Sequence, residues 1–353
     1  MRVLITGIDG YIGAILGSRL LQHGFDVVGI DCGFYRDGWL YNAPHPRPLT
    51  ITKDVRRIIP EDLRGFDAAV HLAELSNDPL GELSERTTYD INHLGSVALA
   101  RACKEAGVTR FVYTSSCSVY GAADDGADRT ENSTPNPQTA YAKCKVLVER
   151  DVAALADARF SPVFLRNATA FGASPRMRFD IVLNNLAGFA WTTKEIRMTS
   201  DGTPWRPLVH VEDICQAIML VLQAPRHAIH NEIFNVGDDE QNYRIRDIAA
   251  IVGRVFDDCT LTFGRPSGDN RSYRTSFAKL SSHVPEFRCA WSAERGARQL
   301  RKVFEQVQMT AETFSLRPFT RLKQLTYLLA SQQIDAEFYW RCQLLHEGGE
   351  ATQ

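Results

Sequence analysis

Short apolar runs recur through the first half of the chain, separated by stretches of helical length. Segments 3–6, 27–31, 68–72, 110–114 and 162–166 are mostly apolar and rich in β-branched residues, as strands covered on both faces should be. Between them, 12–23, 92–106 and 137–155 repeat their apolar residues at helical spacing. This alternation predicts right-handed βαβ units, an α/β fold built on a doubly wound parallel sheet. The third helix has a start signal, with Asn136 as its cap and Pro137 at its first position. After residue 166 the pattern loosens. Segments 167–206 and 238–300 read as a smaller, interrupted C-terminal substrate domain, while 207–237 returns to the main sheet and completes the unit begun by 1–166. Residues 301–353 form a helical C-terminal extension with Leu322, Leu325, Leu328 and Leu329 on one face. It packs on the body or on a partner subunit and receives no catalytic role.

Composition narrows the class. With 40 basic and 42 acidic residues and no basic block, nothing suggests a nucleic-acid footprint. No run approaches the roughly 20 apolar residues of a membrane span, and the N-terminus enters a strand without a signal-peptide pattern. The eight cysteines form no C-x-x-C pair, which predicts reduced thiols in a cytoplasmic protein. No metal site is expected.

Thr6-Gly7-Ile8-Asp9-Gly10-Tyr11-Ile12-Gly13 follows the first strand and opens a helix. Glycines there allow a tight turn and let backbone approach a pyrophosphate at a helix N-terminus. Asp31 ends the second strand, where a carboxylate can bind both hydroxyls of an adenosine ribose and repel the extra phosphate of NADP. Together these predict a Rossmann-type site for NAD. Farther on, Tyr141 and Lys145 stand four apart and share one helix face. A tyrosine is a poor base at neutral pH, and a neighbouring ammonium favours its phenolate.

On these motifs the chain resembles the extended short-chain dehydrogenase/reductase family, in its NAD-dependent nucleotide-sugar epimerase/dehydratase group, over roughly residues 1–300. The resemblance implies cofactor contacts from Gly7, Gly10, Tyr11, Ile12, Gly13 and Asp31. It adds Asp54 and Val55 for the adenine, Leu72 and Ala73 in the turn after the fourth strand, Asn92, and the Tyr141–Lys145 pair. Glu74 stands where the family has alanine; a carboxylate is unfavourable near a pyrophosphate, so it should point away or toward substrate. Ser115-Ser116-Cys117-Ser118-Val119-Tyr120-Gly121 matches the family's Ser-Ser-x-x-Val-Tyr-Gly turn and puts Ser116 at the catalytic serine position, with Ser118 and Tyr120 beside the sugar. Dehydratases of the group carry an Asp-Glu pair where this chain has Cys117 and Ser118.

On the substrate side, Asn184-Asn185-Leu186 resembles a segment that contacts the nucleotide sugar in UDP-galactose 4-epimerases. Arg206 falls at a phosphate-binding position, Arg265 and Arg271 are rivals for a second, and Asn167 and Thr169 occupy the usual aromatic and asparagine positions. The resemblance implies a nucleotide-diphosphate sugar substrate, a homodimer, and epimerisation by transient oxidation at the 4-hydroxyl. Net redox on the same substrate, a 4,6-dehydratase and a nucleotide-sensing protein without chemistry stay open as alternatives.

Overall fold

The computed structural model describes residues 1–42, 45–122, 126–257, 259–265 and 271–341. Its strands are β1 (Arg2–Thr6), β2 (Asp26–Asp31), β3 (Leu49–Thr52), β4 (Ala68–His71), β5 (Arg110–Ser116), β6 (Ser161–Asn167), β7 (Thr169–Phe171), β8 (Glu195–Arg197), β9 (Trp205–His210), β10 (Glu232–Val236), β11 (Asn242–Arg244) and β12 (Thr260–Thr262). Seven of them form a parallel sheet in the order β3-β2-β1-β4-β5-β6-β10. The chain winds outward from β1 through β2 and β3, then crosses back to β4 on the other side of β1. That reversal opens a crevice beyond the ends of β1 and β4, where ligands of such sheets bind.

Strand residues alternate between two cores. Val3, Ile5, Val70, Val112 and Val163 face the helices Gly13–Gln22 and Val211–Gln223. Leu4, Val28, Ala69, Phe111 and Phe164 face the other side, where the helix Ser96–Ala106 packs. Burial on both faces explains the nearly continuous apolar runs. A third core around Phe171, Leu183, Ile248 and Phe304 supports the three-stranded sheet β11-β9-β7. No described helix is long and apolar enough to cross a membrane.

Two expectations change. The third helix begins at Ala140, not Pro137, and Thr139 caps it by accepting from the Ala142 N–H at 3.2 Å. Asn136 is committed elsewhere, its N–H to Val119 O and its amide to Ala122 O. Strand β9 does not rejoin the main sheet; it pairs with β7 and β11, and only β10 returns to β6. In the extension, Leu325 and Leu328 are buried in the second core, with Leu322 and Leu329 partly buried beside them.

Candidate active site

The crevice holds an open cavity of about 480 Å³. Its floor is the glycine turn. Gly7 has φ +75°, and a Cβ there would stand 2.8 Å from the Ala73 N of the neighbouring turn. A Cβ on Gly13 would lie 2.3 Å from Gly7 O. Both positions therefore exclude side chains, and the helix that follows, with Ile12 at its N-cap, has no side-chain cap, leaving backbone N–H groups for an anion. Asp31 is fixed by the Gly33 N–H at 2.8 Å and the Asp9 N–H at 3.1 Å. Gly10, Tyr11, Ile12, Val55, Leu72 and Ala73 also line the cavity. Asp54 does too, but the Arg56 guanidinium already takes its carboxylate, at 2.7 and 3.0 Å. Asn92 lies outside the wall; its amide braces the Leu75 backbone through bonds of 2.8 and 3.0 Å. This donor set fits a dinucleotide.

The opposite wall is the helix Ala140–Ala153, whose successive turns present Tyr141, Lys145 and Glu149 on one face. Tyr141 and Ser116 face the cavity together, and the Lys145 Nζ lies 5.3 Å from the Tyr141 ring centre. Lys145 donates to Thr114 O at 2.5 Å and forms an ion pair with Glu74. Glu74 in turn accepts from the Tyr113 hydroxyl at 2.5 Å. The carboxylate lines the cavity and is held by Lys145 and Tyr113. Below, Glu149 grips Arg166 through both oxygens and accepts from Ser115, locking helix to sheet.

These contacts set the electrostatics. Burial pushes the Tyr141 hydroxyl above the ordinary phenol range; Lys145 works against this and Glu74 adds to it. Proximity to lysine alone therefore does not make a ready phenolate here. Burial opposes the Lys145 charge, yet Glu74 and Tyr141 hold its ammonium above the ordinary range. Burial also raises the Glu74 carboxyl, with Lys145 and Tyr113 pulling it down. The direct contact holds the pair as an ion pair against the cost of burial.

On the substrate side, Ser118, Asn167, Thr169, Arg206 and Arg271 line the cavity. The Ser118 Oγ and Asn167 Oδ1 are buried with no hydrogen-bond partner. Arg271 pairs with Asp78, which also accepts from Thr139 at 2.6 Å. Arg265 is exposed and does not line the cavity, which separates the two rivals. Asn184 and Asn185 are absent from the wall because their amides hold backbone: Asn184 bonds Gly172 and Arg178 O, and Asn185 bonds Phe179 O. Tyr120 is buried behind the wall, its hydroxyl donating to Asn235 Oδ1 at 2.7 Å. Cys117 is fully buried, with its Sγ on Arg166 O. Among the described residues no cluster could hold a metal ion.

Among the wall residues that escape the sequence reading, Arg178, Tyr35 and Arg321 carry polar groups into the cavity. Arg178 lies in the cavity and forms a two-point pair with Asp180 at 2.8 and 3.2 Å. Two arginines in the run Pro175-Arg176-Met177-Arg178-Phe179-Asp180 were a readable signal. Tyr35 and Arg321 also line the cavity. Arg321 comes from the C-terminal extension, where helical period hides it.

A switch-point glycine turn facing a Ser-Tyr-Lys wall defines a nucleotide-cofactor enzyme class. The family model "NAD dependent epimerase/dehydratase family" matches residues 3–237, and the chain belongs to that family. A UDP-glucose 4-epimerase of Corynebacterium glutamicum is 28% identical over 272 residues, spanning 72% of this chain and 80% of that protein. UDP-glucose 4-epimerase 1 of Oryza sativa subsp. japonica is 26% identical over 340 residues, spanning 84% and 92%. Among solved structures, MoeE5 in complex with UDP-glucose and NAD superposes with TM-score 0.74 at 26% identity, covering 88% of this chain and all of that one. The NDP-hexosamine 5,6-dehydratase TunA shares the fold, with TM-score 0.76 at 24% identity over 86% of this chain and 98% of that one.

Proposed function

We propose that this protein is an NAD-dependent epimerase of a nucleotide-linked sugar, working by transient oxidation at the 4-hydroxyl. The observation that carries the reading is the convergence of Ser116, Tyr141 and Lys145 on one wall of the cavity, facing the glycine turn and Asp31. Ser116 orients the sugar hydroxyl toward Tyr141, whose oxygen takes the proton. Lys145 carries the charge that stabilises the phenolate, and Glu74 tempers it. NAD, held by the glycine turn and Asp31, would supply the hydride acceptor and donor for this chemistry.

Arg206 and Arg271 are assigned to the sugar-nucleotide diphosphate, because a guanidinium fork matches phosphate oxygens. The unpaired Ser118 and Asn167 oxygens suit sugar hydroxyls. With Cys117 buried and Ser118 beside it, no acid stands where the group's dehydratases carry theirs, which favours epimerisation over loss of water. Epimerase relatives support the same choice. We further propose a homodimer through the segment around Asn92, where Leu94 is 58% exposed.

The test is to incubate the purified protein with UDP-glucose, without added cofactor, and follow the sugar by NMR. Appearance of the 4-epimer with no net NADH is expected. Accumulated NADH would indicate net redox, and a 4-keto-6-deoxy product would indicate dehydration; either overturns the proposal.

A further inference from the structure

The C-terminal extension does more than cover a core face. It grips the segment that follows Asp31. Trp340 Nε1 donates to Cys32 O at 2.7 Å, and its ring packs on Phe34 at 5.9 Å between centres. Gln324 Nε2 donates to Phe34 O at 3.0 Å. Between them, the Arg321 guanidinium lies over the Tyr35 ring at 4.0 Å.

Arg321 is 3% exposed and lines the cavity. Among the described residues no carboxylate lies within ion-pair distance of its guanidinium, which has a single long bond, to Pro318 O at 3.4 Å. Asp180 is spent on Arg178, and takes from Arg321 only the backbone N–H, at 3.1 Å. The Tyr35 hydroxyl nearby is buried without a partner. Arg176, which feels the Arg321 charge, reaches the glycine turn, its Nε donating to Asp9 O at 2.6 Å. Three guanidinium groups thus gather around Asp180 and Asp31. Among the described residues, two carboxylates against three guanidinium groups leave Arg321 without a direct ion-pair partner, which is costly for a buried cation, and one at the rim of a nucleotide site calls for an anion.

We propose that Arg321 binds the diphosphate of the dinucleotide, with Arg178 and the Tyr35 hydroxyl beside it, so that the C-terminal extension completes the cofactor site. The proposal rests on the NAD reading above. Position selects the cofactor over the sugar nucleotide: Arg321 sits with Phe34 and Tyr35, just after Asp31, whereas Arg206 and Arg271 gather near Tyr273. The guanidinium fork suits two phosphate oxygens, and the extension holds it by backbone contacts that do not depend on the ligand.

The test is calorimetric titration of nucleotide-free full-length protein with NAD, ADP, adenosine and UDP, comparing the parent with Arg321→Met. Loss of a charge-assisted pair is expected to weaken NAD and ADP binding about 10- to 100-fold, leaving adenosine and UDP unchanged. Retained UDP binding also certifies the fold. Should the methionine variant fail to fold, Arg321→Lys serves, with an intermediate loss for ADP. Undiminished ADP binding overturns the proposal, as does weaker UDP binding with ADP spared. A parent that binds UDP but neither NAD nor ADP overturns the cofactor reading itself, whatever the variants do.

Discussion

Replacing Glu74 with glutamine removes one charge while keeping the shape and the bond from Tyr113. The Glu74 and Lys145 side chains are 3% and 4% exposed, so water screens the pair little. Removing one partner of a buried pair costs about 3–5 kcal/mol, chiefly through the charge left behind. At roughly 2 °C per kcal/mol for a chain of this size, the melting temperature should fall by about 6–10 °C. The pH dependence has a definite form. Burial holds the Glu74 carboxyl above its ordinary range, so its ionisation adds no stability of its own beyond shielding Lys145. Once pH falls through that raised value the residue is neutral like glutamine, and the gap between parent and variant closes in acid. The Lys145 contribution is present below its ordinary pKa and is lost as pH rises through its raised folded value, so the gap closes again in strong alkali. Kinetically, the variant should release Tyr141 from a carboxylate that raises its pKa, and the acid limb of the rate profile should move to lower pH. Differential scanning calorimetry across pH and a pH–rate profile check both parts. Unchanged melting at neutral pH, or an acid limb that moves upward, would refute the assignment of Glu74 as the lysine's counter-charge.

Tyr141→Phe should lower turnover by about 10²–10⁴ through loss of proton transfer, with NAD retention intact; assay of released nucleotide alongside turnover separates the two. Gly7→Ala places a Cβ 2.8 Å from Ala73 N at φ +75°, so the turn must shift, and the purified protein should carry less NAD than the parent on denaturation. His210 is fully buried, stacks on Trp291 at 4.1 Å, and has its pKa lowered to about 4 by burial. Its neutral form is favoured in the fold, so stability is whole above about pH 6.5 and falls by roughly 3 kcal/mol as pH drops toward 4. Urea melts at pH 7.5 and 5 should show a smaller difference for His210→Gln than for the parent; an equal difference would assign the acid sensitivity elsewhere.

The main sheet was legible because burial on both faces writes itself as unbroken apolar runs, and strands β1, β2, β4, β5 and β6 lie within about two residues of where those runs place them. Strand β3 was not, since Leu49 and Ile51 at the sheet edge are exposed and look like loop. Short glycine and Tyr-Lys spacings could be read because they constrain adjacent residues in one turn or one helix. Partners distant in sequence could not. Glu74 shows as an anomaly in its turn, but its ion pair depends on β4 and the Ala140–Ala153 helix meeting 71 positions later. Asn184 and Asn185 illustrate the reverse error: their segment matches the family, while their amides are spent on the loop they follow.

The bonds from Trp340 to Cys32 and from Gln324 to Phe34 join positions 308 and 290 residues apart. During synthesis the glycine turn and Asp31 emerge early, yet the wall above them waits for nearly the whole chain. Contacts of such sequence separation are slow to form because loop closure precedes any gain. The nucleotide crevice therefore closes only once residues 320–340 have been made, and a nascent chain halted before residue 320 would expose Phe34 and the second core's open face, a natural target for chaperones and proteases.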